Sequence, residues 1–501
     1  MGRTATAVAL AAVALAATTA APAPAASAAP ARAAASAGRT APLISFAGIF
    51  VRGRTEAQRT ASYRRLRAMG VRAIRIDFRW IEVEPVGAPL HDYHWRALDA
   101  EVRAIRRAGL KILGILDYGN PDYSRAGGEA YRRGQKGVPP FGVGDPQYYP
   151  VDDPRTFARY AGAVARRYRG QVIGWEVWNE ENGGWRFWEP KEDPVAYGKL
   201  LCATHAVLKR VDRRVPVVFG GLFFPPLGGK VGTGGVKFLA QTLDRGGRVV
   251  RRCFDAVAYH PYPYPFTSPE AQVSDRGSVA GAASQLRAVL RRRGLGSVPL
   301  WNTEVGWPTN PRGNGVTEAR QARYTARLQL LSWELRVPVL TWYTWGDYSD
   351  PKGQNQEAHF GFFRANGSPK PARRALVVLA RELGGRGWRF VADRSRALGL
   401  PRGRRGVDEG FALQFAGPRG RRLLALWYAN ERPPAGTDPF AKVEPGTPPR
   451  AIGVRVRLPA RCDAVRAIDF LGTRRAIMRT RDGSLHLRVG QGPLYLTWRA
   501  R

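Results

Sequence analysis

Between residue 43 and about residue 383 the chain repeats one unit eight times, a short β-branched run followed by a longer stretch with apolar residues at helical spacing. The runs are Ile44–Ile49, Val71–Phe78, Lys111–Asp117, Val172–Asn179, Val215–Gly220, Phe254–His260, Val298–Glu304 and Val337–Trp345. Strands joined by helical crossovers lie parallel, and a parallel sheet needs both of its faces covered. Eight units in strict alternation predict closure into a (β/α)8 TIM barrel over residues 42–384. An open doubly wound sheet normally has fewer units and a glycine-rich phosphate loop after its first strand, and this chain has no such loop. Leu98, Val102 and Ile105 line one face of the second helix, and Tyr324, Leu328, Leu331 and Leu335 one face of the seventh. Gly70, Gly109 and Gly170 stand where a helix must end before the next strand.

After the eighth helix, about Pro371–Leu383, the period changes from helical to alternating. Phe411–Phe415, Arg422–Ala429, Ile452–Leu458, Val465–Phe470, Ala476–Thr480, Leu485–Val489 and Leu494–Trp498 read as short strands, with hairpin chemistry at Asp482-Gly483. Residues 385–501 are expected to form an antiparallel β-sandwich packed on the barrel, interrupted by a proline-rich loop at Pro433–Pro449. The linker at Gly384-Gly385 is too short for free tumbling.

The other end of the chain reads as an address. Residues 1–28 carry Arg3, an Ala/Val-rich core and the small-x-small pattern Ala26-Ser27-Ala28, the form of a secretory signal peptide. Residues 29–41 continue as an Ala/Pro-rich linker. With no later apolar run long enough for a transmembrane helix, the mature protein is expected to be secreted and extracellular. Of the three cysteines, Cys202 and Cys253 fall in the barrel and are candidates for a pair, and an odd number leaves one over. No cysteine or histidine pair has ligand spacing, so neither a metal nor another cofactor is expected. The formal net charge of +39 is almost all arginine spread along the chain, with no basic arm and no aromatic-interleaved motif. That pattern argues against specific nucleic-acid binding and offers electrostatic adhesion to anionic cell-envelope polymers.

In a barrel of this kind functional residues gather where strands end and loops begin. Those ends supply Arg75, Asp77, Asp117, Asn179, Glu180, His260, Tyr262, Glu304, Trp342, Trp345 and Asp347. Carboxylates and a histidine can move protons. Indole rings give flat platforms for the C–H faces of sugars, whose hydroxyls need directional polar partners. An oligo- or polysaccharide suits such a rim.

Longer motifs carry a family resemblance. Gly174-Trp175-Glu176-Val177-Trp178-Asn179-Glu180-Glu181 resembles the fourth strand of the glycoside hydrolase clan A barrels, which ends in Asn-Glu. Trp301-Asn302-Thr303-Glu304-Val305-Gly306-Trp307 resembles their seventh strand. Ile74-Arg75-Ile76-Asp77-Phe78-Arg79-Trp80, Tyr259-His260-Pro261-Tyr262 and Phe360-Gly361-Phe362-Phe363 running on to Lys370-Pro371 extend the likeness in order along the barrel. Within the clan the chain looks most like families 39 and 5, and the trailing sandwich leans toward family 39.

The resemblance implies a retaining β-glycoside hydrolase. It makes Glu180 the acid/base and Glu304 the nucleophile, with Asn179 on the sugar's 2-hydroxyl. Arg75 and Tyr262 would bracket Glu304, His260 would line the site near the departing group, and Trp342 or Trp345 would lie under the reacting sugar. The residues alone leave rivals open: Glu181 as a better-placed acid, Asp77 and Asp117 as structural ion-pair partners, and a lectin-like barrel that binds carbohydrate without cleaving it. β-Xylosides, β-glucosides, β-mannans and an exopolysaccharide all remain candidate substrates.

Overall fold

The structure is a computed structural model that describes residues 41–47, 55–137, 142–184, 186–224, 233–264, 266–271, 279–403, 408–431 and 451–500. The signal-peptide reading, all of the linker but Ala41, the last two residues of the first predicted strand and the proline-rich loop lie outside the described residues. Eight parallel strands close a barrel in chain order: β1 (Leu43–Ala47), β2 (Ala73–Arg79), β3 (Lys111–Asp117), β4 (Val172–Asn179), β5 (Val217–Phe223), β6 (Ala256–His260), β7 (Leu300–Val305) and β8 (Val339–Tyr343). Pairing of β1 with β8, Leu43 opposite Val339 through Ala47 opposite Tyr343, shuts the ring.

Five strands begin two residues later than predicted, leaving out Val71, Val215, Phe254, Val298 and Val337. These residues, all but Phe254 β-branched, occupy the approach to the sheet and lie outside its strands. Leu113, Val218, Ala256, Ala258, Trp301 and Val339 form a buried cluster drawn from strands alone, which marks it as the barrel's interior packing. Gly174 makes room there, because a Cβ at that position would meet the Trp301 ring at 2.8 Å.

The main crossover helices are α1 (Glu56–Ala68), α2 (Arg96–Arg107), α3 (Pro154–Arg167), α4 (Pro194–Val211), α5 (Gly235–Arg245), α6 (Val279–Arg291), α7 (Glu318–Glu334) and α8 (Pro371–Leu383). Their starts follow local chemistry. Thr55 and Gln58 make a reciprocal capping box on α1. Asp153-Pro154 and Asp193-Pro194 cap α3 and α4 with a carboxylate followed by a residue pre-set for the first turn. Gly70 and Gly109 leave α1 and α2 at φ +95° and +72°, where a side chain would be strained. A disulfide joins Cys202 in α4 to Cys253 before β6, and Cys462 is free.

The C-terminal strands are β9 (Arg389–Asp393), β10 (Glu409–Ala416), β11 (Arg421–Ala429), β12 (Ile452–Val456), β13 (Cys462–Asp469), β14 (Arg474–Arg475), β15 (Met478–Arg479), β16 (Leu485–Val489) and β17 (Leu494–Ala500). They form a six-stranded sheet in the order β14-β13-β17-β11-β10-β9 and a three-stranded sheet in the order β12-β16-β15. Sequence patterning missed β9 and β14. The Arg389–Asp393 strand is an edge with charged residues at both ends, and β14 has only two residues.

The large sheet is apolar on both faces. Leu424, Leu426, Leu494 and Leu496 meet Val454, Leu485, Leu487 and Val489 of the small sheet. Leu413, Phe415, Leu423 and Trp427 pack on Leu330, Trp333, Val378, Leu379 and Leu383 of α7 and α8. The seventh helix is therefore buried on two sides, with Tyr324 and Leu328 toward the barrel and Leu330 and Trp333 toward the sheet. A single apolar stripe on this helix captures only half of its contacts.

Each large side chain uncovered at this junction forfeits about 1.5–3 kcal/mol of burial. Residues 42–384 expressed alone are accordingly expected to aggregate or to unfold at a markedly lower temperature than the full chain. Thermal unfolding followed by circular dichroism checks this, and a soluble truncate of unchanged melting temperature would contradict it.

Candidate active site

The site grows from one buried cation. Alternation along β2 turns Arg75 into the barrel, where it is 4% exposed. A guanidinium cannot sit there unpaired. Its Nε and Nη2 donate to the two oxygens of Glu176 at 3.0 and 2.9 Å, Nη1 donates to Glu304 Oε2 at 3.0 Å, and Nη2 also donates to Asn179 Oδ1 at 3.0 Å. Burial alone would raise Glu176, but the charge of Arg75 and the hydrogen bond with His260 outweigh it and hold the carboxyl below its usual range. Glu176 was legible in the sequence only as an acidic neighbour of Glu180. The signal that could have found it is its place four residues earlier on the same inward face, opposite a buried arginine.

Strict strand alternation would send Asn179 and Glu180 to opposite faces. The backbone breaks that alternation: Trp178 has φ +69° and Glu180 has φ +52°, both in the left-handed region that costs a non-glycine residue about 1–3 kcal/mol. Trp178 is packed against Trp188 and Phe157, and its indole N–H donates to the Phe187 carbonyl at 2.8 Å. Asn179 and Glu180 both turn to the mouth, where Asn179 Nδ2 donates to the Tyr118 hydroxyl at 3.1 Å. Glu181, the rival acid, is fully buried, and burial pushes it up to about 8, so it is a neutral carboxyl behind the site at neutral pH.

His260 ends β6 and is 0% exposed. Fully buried, it does not line the open site near the departing group, where the family resemblance had put it. Its Nδ1 faces Glu180 Oε1 at 2.9 Å, and its Nε2 faces Thr303 Oγ1 at 3.1 Å. Burial pulls the imidazole down, but the charge of Glu304 and the hydrogen bonds to Glu176 and Glu180 together push it up to about 9. At neutral pH it is an imidazolium that donates through both ring nitrogens, while Thr303 passes its own hydroxyl proton toward Glu176 Oε1 at 3.1 Å.

Tyr262 donates to Glu304 Oε1 at 2.6 Å, so Glu304 accepts from a phenol on one oxygen and from Arg75 on the other. Burial and the charge of Glu304 raise the phenol well above its ordinary range, so it stays a donor. One oxygen of Glu180, one of Glu304 and one nitrogen of His260 all lie within 4.8 Å of one another. Donor atoms so close could in principle share a cation, and among the described residues this is the group able to do so. Each of them is already engaged with a protein partner.

The eighth strand corrects the aromatic assignment. Trp342 is 1% exposed and packs in the barrel wall beside Trp307 and Phe362, away from the mouth. Trp345 is half-buried and lies 4.3 Å from the Phe363 ring. The ring that reaches the nucleophile's surroundings is Tyr343. It is edge-on to Tyr262 at 6.5 Å, it donates to Glu357 Oε2 at 3.2 Å, and burial with the charges of Glu357 and Glu304 raises it. Tyr343 and Glu357 were not among the sequence candidates. Two tryptophans flanking a tyrosine drew attention from it, and Glu357 sits in a loop without periodicity. Asp347 pairs with buried Lys370 at 2.7 Å and is a structural staple. Asp77 lies 3.7 Å from Arg79 at the rim, and Asp117 is fully buried, with burial holding its carboxyl well above the usual range.

No protein-family model matches the chain, and no curated protein does. Solved structures do. A family 39 glycoside hydrolase from the gut symbiont Bacteroides cellulosilyticus WH2 is 23% identical, covering 93% of this chain and 82% of its own at a TM-score of 0.66. The fold is that of the family 39 glycoside hydrolases. A GH39 enzyme from Xanthomonas axonopodis pv. citri is 16% identical over 93% of this chain and 96% of its own, with a TM-score of 0.60. A monomeric β-xylosidase from Caulobacter crescentus CB15 is 17% identical over 92% and 96%, with a TM-score of 0.59. The similarity spans barrel and sandwich together.

Two outcomes follow from the charges. Arg75→Met leaves Glu176 and Glu304 without their buried partner and should cost about 3–5 kcal/mol of stability. Arg75→Lys should restore little, because an ammonium cannot donate to both carboxylates in the guanidinium's fork geometry. Denaturant unfolding measures both. The raised His260 contributes stability that is fully present below its ordinary value of 6.5 and is lost as pH climbs through about 9. The wild-type denaturation midpoint should fall across that window, and His260→Gln should flatten the fall; parallel curves would contradict the assignment.

Proposed function

We propose that this chain is a secreted retaining β-glycosidase that works by double displacement, with Glu304 as nucleophile and Glu180 as acid/base. The observation that carries the reading is the approach of a Glu180 oxygen to a Glu304 oxygen within 4.8 Å, from the end of β4 and from β7, three strands round the same mouth. Retaining enzymes place their two carboxyl groups about 5–5.5 Å apart, close enough for one to attack while the other protonates, whereas inverting enzymes leave about 6.5–9.5 Å for a water.

In the first step a Glu304 oxygen attacks the anomeric carbon. The bond to the glycosidic oxygen breaks, and the proton on Glu180 moves to that oxygen as the alcohol departs. His260, with Nδ1 at 2.9 Å from Glu180 Oε1, donates Nδ1–H to the carboxylate that Glu180 has become. In the second step that carboxylate takes a proton from water, whose oxygen attacks the anomeric carbon and releases Glu304 with the original configuration restored. Asn179, its amide oriented by Arg75 and Tyr118, is placed to meet the sugar's 2-hydroxyl. Tyr262 and Arg75 hold Glu304 in position for attack.

Secretion is supported by the leader pattern and by the Cys202–Cys253 disulfide, which suits an oxidising compartment. β-Xylosides head the substrates to screen, because a solved structure of this fold is a β-xylosidase. The charge of +39 supports adhesion to anionic envelope polymers, which added salt should release as the screening length shortens to about 10 Å at 0.1 M. Cosedimentation with cell-wall fragments across a salt series measures that.

The roles are separable by rescue. Glu304→Ala should lose all turnover of aryl β-glycosides, and added azide should restore it with formation of the α-glycosyl azide. Glu180→Ala should lose about 10²–10⁴-fold on substrates with poor leaving groups and far less on activated aryl glycosides. There azide should give the β-glycosyl azide. Product anomers followed by NMR decide between these outcomes, and interchange of the two patterns would reverse the roles.

A further inference from the structure

Outside the mouth, the most heavily constrained polar group lies where barrel and sandwich meet. Arg327, in the middle of α7, is 0% exposed and is held by two carboxylates from different parts of the fold. Its Nε and Nη2 donate to Glu270 Oε1 and Oε2 at 2.7 and 2.6 Å, and its Nη1 donates to Glu431 Oε2 at 2.6 Å. The Trp427 indole N–H donates to Glu270 Oε1 at 2.8 Å. Glu270 belongs to the barrel, on the loop that follows β6, while Trp427 lies in β11 of the sandwich and Glu431 two residues beyond that strand's end. Trp427 is itself fixed by Phe411, stacked on it at 4.8 Å.

The loop that Glu270 anchors is the one that carries Tyr262. Between them the loop is tied by the Trp307 indole N–H to the Thr267 carbonyl at 2.8 Å and by Thr267 N–H to the Pro263 carbonyl at 3.2 Å. Phe266 packs on Phe360, and so does Tyr262. Thus a continuous run of buried contacts leads from the sandwich to the phenol that donates to Glu304. Ion pairs of this kind often give little net stability against an apolar replacement of the same shape, while they fix the groups they join.

The geometry points to the sandwich as part of the active site: Trp427 and Glu431, through Arg327 and Glu270, are positioning residues that hold Tyr262 against Glu304. This rests on the glycosidase reading for its kinetic test, and the structural test is independent of it. Misplacement of a catalytic group by about 1 Å costs up to about 100-fold.

The experiment uses the full-length chain with Trp427→Phe, which keeps an aromatic ring but removes the indole donor, and Glu431→Gln, which leaves Arg327 paired with Glu270. Both should lower kcat on an activated aryl β-glycoside about 10- to 100-fold with KM nearly unchanged. In a cycle with Tyr262→Phe the effects should be non-additive, the double variant being scarcely slower than Tyr262→Phe alone. Hydrogen exchange of the 261–271 amides should quicken in both single variants. Full additivity, or unchanged kcat in folded variants, overturns the brace. Should the wild type cleave no aryl β-glycoside, the glycosidase reading falls. Exchange at 261–271 then decides the brace by itself, since unchanged protection overturns it and lost protection supports it.

Discussion

A single buried guanidinium organises the barrel mouth. Arg75 enters from β2 and draws to itself Glu176, Glu304 and Asn179. Without it two carboxylates would face each other in a poorly hydrated interior. With it, each carboxylate has a charged hydrogen-bond partner, while Glu304 remains half-buried and reachable. The imidazolium of His260 is a second fixed cation, within hydrogen-bond reach of Glu180. Preorganised charge of this type needs no rearrangement at the moment of reaction, which is where electrostatic catalysis gains most.

The same device recurs at the domain junction. Arg327 is as fully buried as Arg75 and is likewise shared between two carboxylates, but it joins α7, the loop after β6 and the chain just beyond β11. Around it α7 is covered on both sides, by the barrel and by the six-stranded sheet. The sandwich therefore completes a core that the barrel alone would leave open, and it reaches the loop that carries Tyr262.

Much of this was legible without coordinates. Alternation of apolar runs gave eight strands within a few residues, because a two-residue or 3.6-residue period reflects local backbone geometry. Glu180 and Glu304 were among the strand-end residues, and the resemblance of their motifs to the clan A barrels singled them out. Other parts were hidden. Asn179 shares a face with Glu180 only through the positive φ of Trp178, which no propensity announces in a tryptophan. Trp342 looks like a platform by type yet fills the wall, Trp345 packs half-buried on Phe363, and Tyr343 lies edge-on to Tyr262.

The division has a physical cause. The sequence by itself determined the strand and helix periods, the caps, the hairpin chemistry and the residue types at strand ends, since all of these depend on neighbours a few positions away. Only the tertiary structure decided that Arg75 pairs with Glu176, 101 residues distant, that His260 lies within hydrogen-bond reach of Glu180 with its proton held to about pH 9, and that Glu270 and Glu431 share Arg327. Those facts come from closing the ring and laying the sandwich on it. Burial and charge then act between groups that the chain order keeps far apart.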